Sequence, residues 1–196
     1  KLPGVLREAE ERGDWHGISL MAYPRVLLAL AHDDVDAARA ALAQCMPALQ
    51  LSEGFRLRDY QALHCELLID RYQGDGRAAF RRLEQAWPAL IQSRLLLVNI
   101  LRVTALAERA STALDFAADG GGRQALSIAQ QVLRALERET LPHARAFALM
   151  LKARMHGHQP QRMIALLTES SQQLDACGLT LHAESARRCV GVIMGD

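Results

Sequence analysis

Asp34–Ser52 reads DVDAARAALAQCMPALQLS, and Asp75–Ser93 reads DGRAAFRRLEQAWPALIQS. Laid over each other at a shift of 41 positions, they agree without gaps at nine of nineteen residues. Asp34 matches Asp75, Ala37 and Ala38 match Ala78 and Ala79, Leu42 matches Leu83, and Gln44 matches Gln85. Pro47, Ala48 and Leu49 match Pro88, Ala89 and Leu90, and Ser52 matches Ser93. Met46 opposite Trp87 keeps a large apolar residue before the proline. Chance rarely produces such agreement, and a repeat of this length marks stacked supersecondary units. The chemistry of the unit is helical. An Asp at a turn accepts the free backbone N–H groups of the helix that follows. The Ala pair lets that helix come close to a neighbour. Ala79, Leu83, Ala86 and Leu90 fall at i, i+4, i+7 and i+11, one apolar stripe of an amphipathic helix. Pro88 predicts the end of the helix or a kink.

The same punctuation recurs along the chain. Gly13-Asp14, His32-Asp33-Asp34, Gly74-Asp75-Gly76, Gly120-Gly121-Gly122 and Gly157-His158-Gln159-Pro160 each precede a new helical pattern. Glycine ends helices by taking a left-handed conformation. The pattern predicts helices over 4–12, 15–31, 34–50, 54–73, 76–91, 94–118, 122–138, 142–156, 160–176 and 180–194. Pro24 should kink or split the second of these. Paired as helix–turn–helix units, they cover 15–50, 54–91, 94–138 and 142–176, with 180–194 as the first helix of a further unit. The predicted fold is all-α: a right-handed array of antiparallel helix pairs, a tetratricopeptide-like superhelix of around ten helices. The whole of 1–196 reads as one helical-repeat domain. The 41-residue spacing exceeds the roughly 34 of tetratricopeptide repeats, so the helices should be longer than usual. Both ends look open, as in a piece of a longer protein.

Composition agrees with a helical core. Half of the 196 residues are hydrophobic and only 5% are aromatic, with Ala and Leu dominant. Ala and Leu lose little side-chain freedom in helices. No alternating run of β-branched or aromatic residues argues for strands. The formal charge is +1, from 23 basic and 22 acidic residues, which gives no global field to attract nucleic acid or an anionic membrane. Lys1 and Lys152 are the only lysines. Cys45, Cys65, Cys177 and Cys189 form no C-x-x-C pair and read as small apolar residues in a reducing, cytoplasmic setting. No secretory signal and no membrane-length apolar run is present.

The stretch Tyr72–Phe80, then Trp87–Leu90, Ser93, Leu95-Leu96, Arg102, Leu141-Pro142 and Gly191–Gly195 resembles the C-terminal helical-repeat region of large multidomain bacterial serine/threonine protein kinases of the myxobacterial type. Those proteins join a kinase domain and a signalling ATPase domain to tetratricopeptide-like repeats. The resemblance implies a role in sensing, regulation or assembly within a kinase. It implies no kinase activity here, because H-R-D, D-F-G and phosphate-loop patterns are missing. Gly120–Gly122 is followed by Arg123-Gln124, without the lysine and hydroxyl a phosphate loop needs.

Candidate binding residues are the polar positions on the first helix of each pair, which line the concave face of such arrays. Arg94, Arg102 and Arg109 fall within about 80° of one another on the predicted helix 94–118. Arg145, Lys152 and His156 share a face of helix 142–156. Asp59, Glu66 and Asp70 make an acidic stripe on helix 54–73. These stripes either form a charged groove for a peptide or partner helix, or satisfy one another across neighbouring helices, and the second is favoured. His156 and His158 lack the further ligands a zinc site requires. The remaining histidines are scattered, and no serine stands in a nucleophile-elbow context. Trp15, Tyr60, Tyr72 and Trp87 read as inter-helix packing. The sequence therefore predicts a non-catalytic interaction module with no cofactor and no metal. Its partners would be a protein, a peptide or other domains of the parent chain, or a second copy through helix 180–194, and not nucleic acid or membrane. The rival reading is the effector-binding helical arm of an ATPase-type transcription activator, which needs a ligand-sized pocket.

Overall fold

The computed structural model describes residues 2–49 and 54–195. They form helices α1 (Leu2–Glu11), α2 (Trp15–Leu20), α3 (Ala22–Ala31), α4 (Val35–Leu49), α5 (Leu57–Tyr72), α6 (Gly76–Gln92), α7 (Asn99–Phe116), α8 (Gly122–Leu136), α9 (Pro142–Met155), α10 (Pro160–Ala176) and α11 (Thr180–Met194). No strand occurs among the described residues, so the protein is all-α. Ser52, the last matched residue of the first repeat copy, lies outside them. So do the side chains of Trp15, Met46, Pro47, Ala48 and Leu49. The chain divides into two compact units, Lys1–Leu96 and Leu97–Asp196.

One turn recurs at the helix ends. Gly13, Asp33, Gly74 and Gly178 take left-handed backbone angles. The next residue then returns its N–H to a carbonyl five positions back, as Asp14 does to Ala9, Asp34 to Ala29, Asp75 to Asp70 and Leu179 to Leu174. This satisfies carbonyls that a helix end would leave bare. Asp34 and Asp75 then cap α4 and α6, each accepting a backbone N–H on Oδ1 at 2.8 Å, from Ala37 and Ala78. In the first copy the left-handed position is Asp33 rather than glycine. Its carboxylate accepts the Tyr72 hydroxyl at 2.7 Å, which ties the end of α5 to the α3–α4 turn.

In the first unit, α3 with α4 and α5 with α6 form helical hairpins, each pair packed along its length. Ile18, Ala22, Val26 and Leu30 make one buried stripe that runs straight across the break between α2 and α3. The break falls at Met21, so Pro24 sits in the first turn of α3, where its missing N–H costs nothing. The 15–31 prediction is thus split in the way proline demands. α5 buries two faces. Ala62, Cys65 and Ile69 join Ala38, Leu42 and Cys45, while Leu63 and Leu67 pack on Ala79, Leu83 and Trp87. The predicted stripe of α6 is its buried face, with Ala79, Leu83 and Leu90 fully enclosed. α6 continues through Pro88 to Gln92, so Pro88 does not end it.

In the second unit, α7 with α8, α9 with α10, and α10 with α11 pack as neighbours. Ala146, Leu174 and Ala183 form one buried cluster, and Ala153, Leu167 and Ala186 another. Ser170 Oγ donates to the Ala146 carbonyl at 2.8 Å, a buried hydrogen bond between α10 and α9. The predicted helix 94–118 is shorter than expected. Ser93 Oγ donates to the Leu90 carbonyl at 2.6 Å and accepts the Leu95 N–H at 3.2 Å, and Arg94 takes a left-handed φ of 61°. A short 3-10 turn over Leu95–Leu97 follows, and α7 starts at Asn99.

The Asp75 cap predicts a measurable loss. Asp75→Ala should cost about 1 kcal/mol, and Asp75→Asn far less, because Asn still accepts the Ala78 N–H. Urea unfolding followed by circular dichroism reads the difference. Equal midpoints for Asp75→Ala and the parent chain would remove the cap from this account.

Candidate functional site

The charges cluster at the turns between helices. The α8–α9 turn carries two acids, Glu137 and Glu139. Arg102, reaching from α7, grips Glu139 with two parallel hydrogen bonds, Nε to Oε1 at 2.7 Å and Nη2 to Oε2 at 2.6 Å. Lys152 of α9 pairs with Glu137. The turn is therefore pinned from both sides. The fork-on-carboxylate geometry gives Arg102 direction as well as charge. Its hydrogen bonds hold the Glu139 carboxyl below the usual range, against the opposing effect of burial.

Arg94 does not share a helix with Arg102 and Arg109. Arg94 stands in the turn that ends α6 and belongs to the first unit, whereas Arg102 and Arg109 sit on α7 in the second. The angular count failed because the chain is not helical between Gln92 and Asn99. Arg102 is committed to Glu139, and Arg109 is half-buried. In the second predicted set, Lys152 holds Glu137, and His156 closes α9, where its carbonyl accepts the Gln159 N–H at 2.8 Å. Arg145 differs from both. It is largely exposed and pairs with Glu169 of α10 at 3.2 Å. The acidic stripe on α5 is also spoken for. Glu66 and Asp70 share Arg82 of α6, at 3.1 and 3.0 Å, and Asp59 accepts the Arg56 N–H at 2.6 Å. Arg102, Lys152, Glu66 and Asp70 thus pair with second helices and turns.

Beside the pinned turn lies an open cleft of about 600 Å³. Glu139, Leu141 and Pro142 form one side, Arg145 the rim, and Gln173 and Ala176 of α10 the other side. Sequence reasoning found Arg145 but missed the rest. Gln173 and Ala176 meet the turn only because α10 folds back along α9. The Gln173 amide donates to Glu169 Oε1 at 3.0 Å, so Glu169 has two donors. The cleft offers a cation, a carboxylate already neutralised, amide and hydroxyl groups, and apolar walls. His143 and Cys177 also line it.

In the first unit a histidine and a cysteine are largely buried. His64 lies against Tyr23, with ring centres 4.8 Å apart, and near Tyr60 at 6.3 Å. Burial, with a smaller contribution from the Arg71 charge, pushes its imidazole down to about 4. Burial likewise pushes the Cys65 thiol up to about 12, so that thiol stays protonated and unreactive. All four cysteines are free. Among the described residues no group of three or more His, Cys, Asp or Glu is placed to hold a metal ion. No described helix is long and apolar enough to cross a membrane.

Two predictions follow from these charges. Arg102→Ala leaves Glu139 in a half-buried site without its donor, and should cost about 1–3 kcal/mol at pH 7. Adding Glu139→Gln should return part of that loss, and an additive double variant in urea unfolding would show that the two side chains do not act as a pair. His64 binds its proton less readily folded than unfolded. Its contribution is therefore complete above pH 6.5 and drains away as pH falls from 6.5 toward 4, about 3 kcal/mol in all. His64→Phe should flatten that part of the stability–pH curve, and a parallel curve for the variant would contradict the burial of a neutral imidazole.

Comparison with protein-family models, with curated proteins and with solved structures found no match.

Proposed function

We propose that this chain is a non-catalytic protein-interaction and regulatory module of a larger bacterial signalling protein, a serine/threonine kinase, and that its hairpins stack as a right-handed tetratricopeptide-like superhelix. The observation that carries the reading is the open cleft beside the pinned α8–α9 turn. Its rim presents an exposed arginine, while the neighbouring charges are locked in pairs that shape the surface rather than react. That division of labour suits recognition: the firmly paired charges hold the geometry, and Arg145, exposed and weakly paired with Glu169, meets the partner. The resemblance of Tyr72–Phe80 and Trp87–Leu90 to kinase-associated repeats supports the signalling context. The rival, an effector-binding arm, needs a pocket that encloses most of a small molecule. The cleft has the volume but lies open to solvent, which suits a segment of another protein better.

Affinity capture from bacterial lysate tests the reading. The immobilised chain should retain a defined protein that an unrelated helical protein of similar charge does not. That protein, once purified, should rebind with micromolar or tighter affinity by calorimetry. A signalling kinase or its substrate is the expected class. If no captured protein rebinds in purified form, the interaction reading fails.

A further inference from the structure

The cleft has a definite polarity, and its groups differ in how firmly they are held. Glu139 gives one lone pair of each oxygen to Arg102, and each carboxylate oxygen has a second that can accept. Its negative charge is neutralised by the bidentate guanidinium, so it acts as an acceptor rather than as a repulsive charge. Arg145 brings a permanent cation to the cleft, which His143 and Cys177 also line. Its side chain is 73% exposed and that of Glu169 is 45% exposed, so their single contact is a weak surface pair. When Arg145 turns away, Glu169 still has the Gln173 amide. Arg145 can therefore change partners at little cost. Leu141, Pro142 and Ala176 supply the apolar surface between these polar ends.

We propose that this cleft docks an extended peptide segment that presents an Asp or Glu side chain to Arg145, with an adjacent apolar side chain against Leu141, Pro142 and Ala176. The proposal rests on the interaction reading and names the partner's chemistry. The peptide carboxylate replaces Glu169 on the guanidinium. A peptide backbone N–H donates to the spare lone pairs of Glu139. The Thr140 hydroxyl, which also lines the cleft, serves the peptide's own carbonyl groups. Nucleic acid fits poorly, because a single arginine cannot follow a phosphate backbone. A small acid would leave the apolar walls uncovered.

Phage-displayed random decapeptides, panned on the whole chain, supply the probe. Enriched peptides should share an acidic residue with a Leu, Ile, Val or Phe within a few positions. Resynthesised with fluorescein, the best should lose about tenfold or more in affinity with Arg145→Ala, the size expected for removing a central charged anchor. Arg145→Lys should restore part of the loss. Ala176→Trp, at an exposed position at the end of α10, should block the cleft without disturbing the core, with circular dichroism as the fold control. Arg188→Ala, exposed on α11, should change nothing. The proposal is overturned if no peptide is enriched, if the enriched peptides lack an acid, or if binding survives both Arg145→Ala and Ala176→Trp. A protein captured from lysate that still binds the Ala176→Trp chain would keep the interaction reading and remove only this cleft.

Discussion

Close approach of helices at alanine is the constraint on which the structure depends. Ala38, Ala79, Ala105, Ala113, Ala125, Ala129, Ala144, Ala146, Ala183 and Ala186 are at most 1% exposed. A methyl group at the contact lets two helix backbones come close, and many small dispersion contacts replace a few large side chains. With so few aromatic residues the core has no bulky pillars, so the fold relies on helices staying straight, well ended and tightly spaced. The recurring left-handed turn and the aspartate cap do that work. They close the helix termini locally and set each helix back against the last.

That spacing determines what becomes of the charges. Helices packed this closely bring the end of one element beside the middle of the next. Arg102, Lys152 and Arg82 all find their acids on a different element. Such pairs add little where solvent screens them, but at a half-buried turn they fix its direction. The α8–α9 turn is the clearest case, with one acid held from α7 and the other from α9. The cleft beside it has one firmly anchored charged border, Glu139 held by Arg102.

The two copies of the repeat show how far a pattern carries. The caps at Asp34 and Asp75 repeat to the same bond length. The left-handed residue before them is Asp33 in one copy and Gly74 in the other. Aspartate tolerates that conformation poorly compared with glycine. Here the strained residue also accepts a hydrogen bond from Tyr72, so it links two hairpins where Gly74 makes only a turn. The proline rule was the weaker guide. Pro24 sits just after a break, as expected, whereas α6 passes through Pro88, because packing of Leu83 and Leu90 on one face outweighs one missing hydrogen bond.

By itself the sequence determined most of the helices and the buried stripe of α6, though not the start of α7. These are local properties, written in 3.6-residue spacing, in Asp before Ala, and in Gly at the turn. It also determined that charge is balanced. The tertiary structure alone decided which charges are engaged. Helical periodicity places Arg94, Arg102 and Arg109 on one face only if the helix begins at Arg94, and a turn stabilised by Ser93 moves its start to Asn99. The cleft was equally hidden, because Glu139 and Gln173 are 34 positions apart in the chain and meet only when α10 folds back on α9. Local spacing cannot report a contact whose geometry is set by how closely two helices pack.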